Sequence, residues 1–227
     1  MRAALARLAV RAVGMPRLPP VRHDERFEAL ADRFLGGDPS AFKDAGISRV
    51  DFLRWLGEHR DVLFHGSSRD LPVLEPIRLS NDTREFGNRQ AVFATDDPVW
   101  AVWFAILRRG EGYNGTRNGS LRIAGDEAST RCYFFTVNRG ALSKERFGSG
   151  YLYVLPRATF ELEAPIAGVL DTAQWASFDA VQPLVRIEVR PEDFPLLEAV
   201  AEHDDEADVV TILRAGRFRR RAGRASR

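Results

Sequence analysis

The feature that most constrains this chain is the segment PVWAVWFAIL, which begins at Pro98 and leaves almost no polar face. Val99, Trp100, Val102, Trp103, Phe104, Ile106 and Leu107 cover most of the circumference of the helix that their spacing predicts. A soluble protein buries such a helix between layers of other structure, so its aromatic residues are read as core. Pro98 fits the first helical position, where its missing N–H interrupts no hydrogen bond. The preceding AVFATDD reads as a strand and a tight acidic turn.

A second apolar run, VLFHGSS at 62–68, stops at a histidine, a glycine and two serines. A buried strand there would deliver His65 to its exposed end. Upstream, Asp24 caps a predicted helix whose Phe27, Leu30, Ala31 and Phe34 recur at helical spacing, and Gly36 and Gly37 stop it. Ser48, with Asp51 three residues later, opens a second helix, VDFLRWLGEHR, in which Trp55 reads as packing. Between the two key runs lies a connection at 71–90 that exceeds the usual loop length. Arg84, Glu85, Asn88 and Arg89 make it a candidate pocket wall. The glycine- and asparagine-rich stretch 109–130 reads as a mobile loop. After it the pattern turns extended, with CYFFTV, YLYVL, ATFELE and VQPLVRIEV as antiparallel strands. PEDFPLLEAVAE starts like a helix with an irregular first turn at Pro195.

The 227 residues suit one domain: a basic, poorly ordered arm at 1–22, a core at 23–200 and a charged tail at 201–227. Within the core, 23–60 forms a helical front and 61–200 the sheet. A targeting peptide is the alternative reading of the arm. A net charge of +1 points to neither nucleic acid nor membrane as an overall partner, and contact of the basic tail with nucleic acid is the minor alternative. Cys132 is the single cysteine, which excludes an internal disulfide and a cysteine-based zinc site. His23, His59, His65 and His203 lack metal-ligand spacing, so no metal is expected. No apolar run approaches the roughly 20 residues of a membrane span, and the expected location is cytoplasmic. Phosphate-loop, nucleophile-elbow and dinucleotide fingerprints are absent.

The HGS at 65–67 and the AVFATDDPVWAVWFA block together resemble the first two motifs of the ADP-ribosyltransferase superfamily. That superfamily includes poly(ADP-ribose) polymerases, diphtheria-type toxins and RNA 2'-phosphotransferases. The resemblance implies an α+β fold with a split antiparallel β-sheet core of ADP-ribosyltransferase type and N-terminal helices. It implies NAD as substrate. His65 would hold a ribose hydroxyl, the backbone of Gly66 would pair with the nicotinamide carboxamide, and Phe93, in place of the family tyrosine, would stack on the ring. Ser67 or Ser68 would add a polar contact, and Thr95 would line the cofactor site. The family's third motif is a glutamate on a late strand, where this chain has QWASFDAVQPLVRIEV at 174–189. Asp179 or Gln182 would take that role, and Gln174 and Glu188 are poorer candidates. Three functions follow from the resemblance. The first is a mono-ADP-ribosyltransferase-like enzyme acting on an unknown acceptor. The second is a noncatalytic module that binds nucleotide or ADP-ribose, and the third an RNA-end-processing transferase.

Overall fold

The computed structural model describes residues 14–22, 24–42, 46–77, 85–126, 130–142 and 145–214. Helices α1 (Arg26–Leu35) and α2 (Arg49–His59) lead into β1 (Val62–Ser67), β2 (Val92–Thr95) and α3 (Pro98–Ile106). Strands β3 (Thr116–Ile123), β4 (Cys132–Asn138), β5 (Gly150–Pro156), β6 (Glu161–Leu162) and β7 (Leu170–Asp171) follow. The chain then forms β8 (Gln174–Ser177), β9 (Val185–Val189), β10 (Ala201–His203) and the short α4 (Val209–Arg214). A six-stranded sheet has the order β6-β8-β2-β1-β5-β9, and a four-stranded sheet the order β10-β4-β3-β7. All these pairings are antiparallel except that of β10 with β4. The fold class is α+β, as the resemblance implied.

Helix α3 lies between the two sheets, where its all-round apolarity requires it to be. On one side its backbone rests directly on β1 and β5. A Cβ on Gly66 would stand 1.8 Å from the Ala101 carbonyl oxygen, and one on Gly150 would stand 1.9 Å from that of Ala105. On the other side the Trp103 ring packs 5.0 Å from Phe135 of β4, and the Trp100 indole N–H donates to Asn118 of β3 at 2.6 Å. The Asp97 carboxylate caps the helix by accepting the Val99 N–H at 3.1 Å. Trp55 is buried within an edge-to-face cluster of Phe27, Phe34, Phe42 and Phe52 that joins α1 to α2. Ser48 caps α2 through the Asp51 N–H, and Asp24 accepts the Arg26 N–H at the start of α1.

Several elements differ from the sequence expectation. The stretch expected as a mobile loop contains β3, whose pairing with β4 runs from Thr116↔Val137 to Leu121↔Cys132. Tertiary context decides this: Gly119 leaves room for the Phe134 ring, and Asn118 and Ser120 find partners on α3 and its cap. PEDFPLLEAVAE forms two 3-10 turns, Pro191–Asp193 and Leu197–Ala199, because Pro195 supplies no N–H to continue a helix. ATFELE contributes only the two residues of β6. Of the arm expected to be poorly ordered, residues 14–22 are described. Met15 is buried, the Pro16 carbonyl accepts the Tyr133 N–H, and Arg17 donates to the Cys132 sulfur at 3.0 Å. The tail from 215 onward, His23 and Arg84 lie outside the described residues.

Candidate functional site

His65 lies on β1, in the middle of the larger sheet. The β1–β5 ladder runs the full length of the strand, from Val62↔Pro156 to Ser67↔Tyr151. The β1–β2 register holds one pair, Phe64↔Thr95. One residue past that pair the His65 ring turns to β2, and its Nδ1–H donates to the Phe93 carbonyl at 2.7 Å. A carbonyl can only accept, so this bond places the proton on Nδ1 and leaves Nε2 as the acceptor nitrogen. Burial pushes the His65 pKa below the usual histidine range, and the Phe93 carbonyl offsets this only in part. A neutral ring with a free lone pair suits a group that accepts a hydrogen bond from a hydroxyl.

The structure brings His65, Gly66, Ser67 and Phe93 together around the point where the β1–β2 ladder ends. Gly66 has a packing reason to lack a side chain, since α3 occupies the space where one would go. The Ser67 hydroxyl accepts the Arg69 N–H at 3.1 Å and starts the turn after β1. Phe93 is half-buried and meets Phe86 edge to face at 6.3 Å. The Arg89 guanidinium lies 4.8 Å from the Phe86 ring and 5.3 Å from the exposed Phe178. The described end of the long connection meets β2 through this Phe86–Phe93 contact. Thr95 is buried, and its hydroxyl accepts the Asp97 N–H at 3.0 Å, so it shapes the turn into α3.

Asp179 and Gln182 stand elsewhere. Asp179 is exposed in the turn after β8, where its backbone N–H and carbonyl both engage the Ser177 hydroxyl. Gln182 is exposed, and its side-chain amide donates to the Pro72 carbonyl at 3.4 Å. Both lie in the crossover between β8 and β9, which occupy different parts of the sheet. Glu188 is exposed on β9, opposite Tyr151. The late strand that borders β2 is β8, with Gln174 opposite Thr95 and Trp175 opposite Ala94. Beyond Gln174, whose carbonyl accepts the Glu163 N–H, the buried Glu163 carboxylate accepts the Thr172 hydroxyl at 2.7 Å. Gln174 and Glu163 therefore share a cross-strand row with Thr95. Nothing local in the sequence marks this row, because it arises from strand order.

A buried charge network holds the start of β8. Ala173 takes a left-handed conformation with φ 59°, which is uncommon for alanine, and its N–H donates to Asp171 at 2.8 Å. Burial pushes Asp171 up, but the Ala173 amide and the Arg131 and Arg122 guanidiniums together hold it below the usual carboxylate range. Arg131 also pairs with Asp96 at 2.7 Å, which ties this turn to the β2–α3 turn. Burial raises the neighbouring Asp97 carboxyl, opposed by Arg131 and by the Ser120 hydroxyl. Among the described residues no group of His, Cys, Asp and Glu is arranged to hold a metal ion, and no helix is long and apolar enough to cross a membrane. No protein family, curated protein or solved structure matches this chain.

Proposed function

We propose that this protein binds NAD beside β1 and acts as a mono-ADP-ribosyltransferase-like enzyme on an acceptor of unassigned class. The observation that carries the reading is the His65 ring, held neutral and fixed by the Phe93 carbonyl, at the point where β1 and β2 cease to pair. In this reading Nε2 accepts from a ribose hydroxyl, Phe93 covers the nicotinamide ring, and the Gly66 backbone meets the carboxamide. The reaction would break the bond between nicotinamide and ribose and join the sugar to an acceptor nucleophile. The sugar gains positive charge in the transition state, so a nearby carboxylate would assist.

The row beside β2 favours a second reading. Gln174, a neutral amide, stands opposite Thr95, and the carboxylate of the row, Glu163, lies one strand further out and serves the Thr172 hydroxyl, while the whole row is in register with Phe64, on the face of the sheet opposite His65. A site that binds NAD or ADP-ribose without turning it over fits that arrangement. One experiment separates the two: incubate the protein with NAD, follow nicotinamide release, and measure NAD binding by calorimetry, each with a His65→Ala control. Turnover lost in His65→Ala supports the enzyme. Saturable binding without turnover supports the module, and absence of both overturns the site.

A further inference from the structure

We infer that Arg186 is an anion-binding residue for the pyrophosphate of a dinucleotide, and that Asp70 occupies its guanidinium until that ligand arrives. The inference rests on the proposed NAD-binding reading of the His65 site. It begins with sheet register: His65 of β1 pairs with Tyr153 of β5, which pairs with Arg186 of β9. Residues in register across a sheet project from the same face, so Arg186 stands on the His65 face about 10 Å away, two strand spacings. The next row on that face is Ser67, Tyr151 and Glu188. A guanidinium at that separation from a ribose-binding histidine is well placed for phosphates attached to the ribose.

The guanidinium is held in position rather than trailing in solvent. It lies over the Tyr151 ring, 5.4 Å from the centroid, and hydrogen-bonds the Asp70 carboxylate. Asp70 is also held in place. The Tyr153 hydroxyl donates to the Arg69 carbonyl at 3.0 Å and accepts the Leu71 N–H at 2.6 Å, gripping the backbone on both sides of Asp70. This turn directly follows the HGS segment, so the strand that carries His65 also delivers the carboxylate to Arg186.

The chemistry favours exchange. Side chains of Arg186 and Asp70 are 47% and 46% exposed, and an ion pair so open to water is weak and easily given up. A phosphate offers the guanidinium the same acceptor geometry with more charge and further oxygens. Asp70 then acts as an internal competitor that an anionic ligand must displace. Asp70 is the acid paired with Arg186, and Glu188, two residues along β9, is paired with Arg190, so removing Asp70 also makes the surroundings of Arg186 less negative.

The test uses the full chain and titrates NAD, ADP-ribose, nicotinamide and inorganic pyrophosphate by calorimetry against wild type, Asp70→Asn and Arg186→Gln. The expected result is that Asp70→Asn tightens NAD, ADP-ribose and pyrophosphate severalfold while Arg186→Gln weakens all three by about tenfold or more. Nicotinamide, which carries no phosphate, keeps its wild-type affinity in both variants. Circular dichroism checks that the variants are folded. NAD binding that is unchanged in Arg186→Gln overturns the inference and leaves the His65 reading standing. Pyrophosphate binding that depends on Arg186, without binding of NAD or nicotinamide, upholds the anion site and overturns the NAD reading. Absence of binding by all four ligands overturns both.

Discussion

His65 and Gly66 are adjacent, and they respond to different forces. Because burial lowers the folded-state pKa of His65 below its unfolded value near 6.5, folding favours the neutral ring. The stability it contributes is present above that unfolded value and is lost as pH falls through the folded pKa. His203, lowered in the same direction chiefly by burial, acts likewise. Denaturation between pH 7 and 5 should therefore show a fall in stability that is shallower in His65→Gln, whose amide can still donate to the Phe93 carbonyl. Gly66→Ala should cost about 1 to 3 kcal/mol or more even without ligand, since the added methyl meets helix backbone rather than a flexible side chain. A stability curve for Gly66→Ala that matches wild type would contradict the packing described for α3. Both residues were legible in the sequence because the pattern that marks them is contiguous. Glu163 was not, and Gln174 stood only as a poorer candidate, since they join Thr95 through pairing between strands far apart in the chain. Asp179 looked apt by position alone, yet the strand break at Ser177 puts it in a crossover.

Among the elements, α3 was the most legible and β3 the least. An apolar helix with proline at its first position has few places to go, and its caps and bounds follow from Asp97 and Pro98. β3 carries Asn118, Gly119 and Ser120, a composition that spells a turn until α3 and β4 supply their partners. The cap offers a test of what holds α3. Asp97→Ala removes the acceptor for Val99 and the partner of Ser120, at a cost of about 1 kcal/mol for the cap alone. Asp97→Asn keeps an acceptor and discards a buried charge whose pKa is already raised, so urea denaturation should rank it clearly above Asp97→Ala. Trp103→Ala, at the contact with Phe135, Phe147 and Phe194, should cost about 3 to 5 kcal/mol.

At the scale of the whole molecule, the two sheets are joined through α3 and through the charges around Arg131. Its partners sit on the β2–α3 turn and at β7, so it spans both sheets. Arg131→Ala removes the hydrogen-bonded partner of Asp96, while Arg122 and the Ala173 amide stay with Asp171, and should cost about 1 to 3 kcal/mol, whereas Arg33→Ala, which breaks the exposed pair with Asp38, should change thermal stability by less than about 1 kcal/mol. Sequence patterning foresaw helices at 26–35 and 49–59 ahead of a run of antiparallel strands. It did not place every strand of the second sheet, because that sheet joins β4, read as a strand, to β3 from a segment read as loop and to β10, which begins where a helix was read. The direct seating of α3 on Gly66 and Gly150 also has a kinetic consequence. A helix enclosed by two sheets gives up its amide protons to solvent only when those sheets come apart. In deuterated water the amides of Val102 to Ile106 should be among the slowest in the chain to exchange, and their protection should report the free energy of global opening.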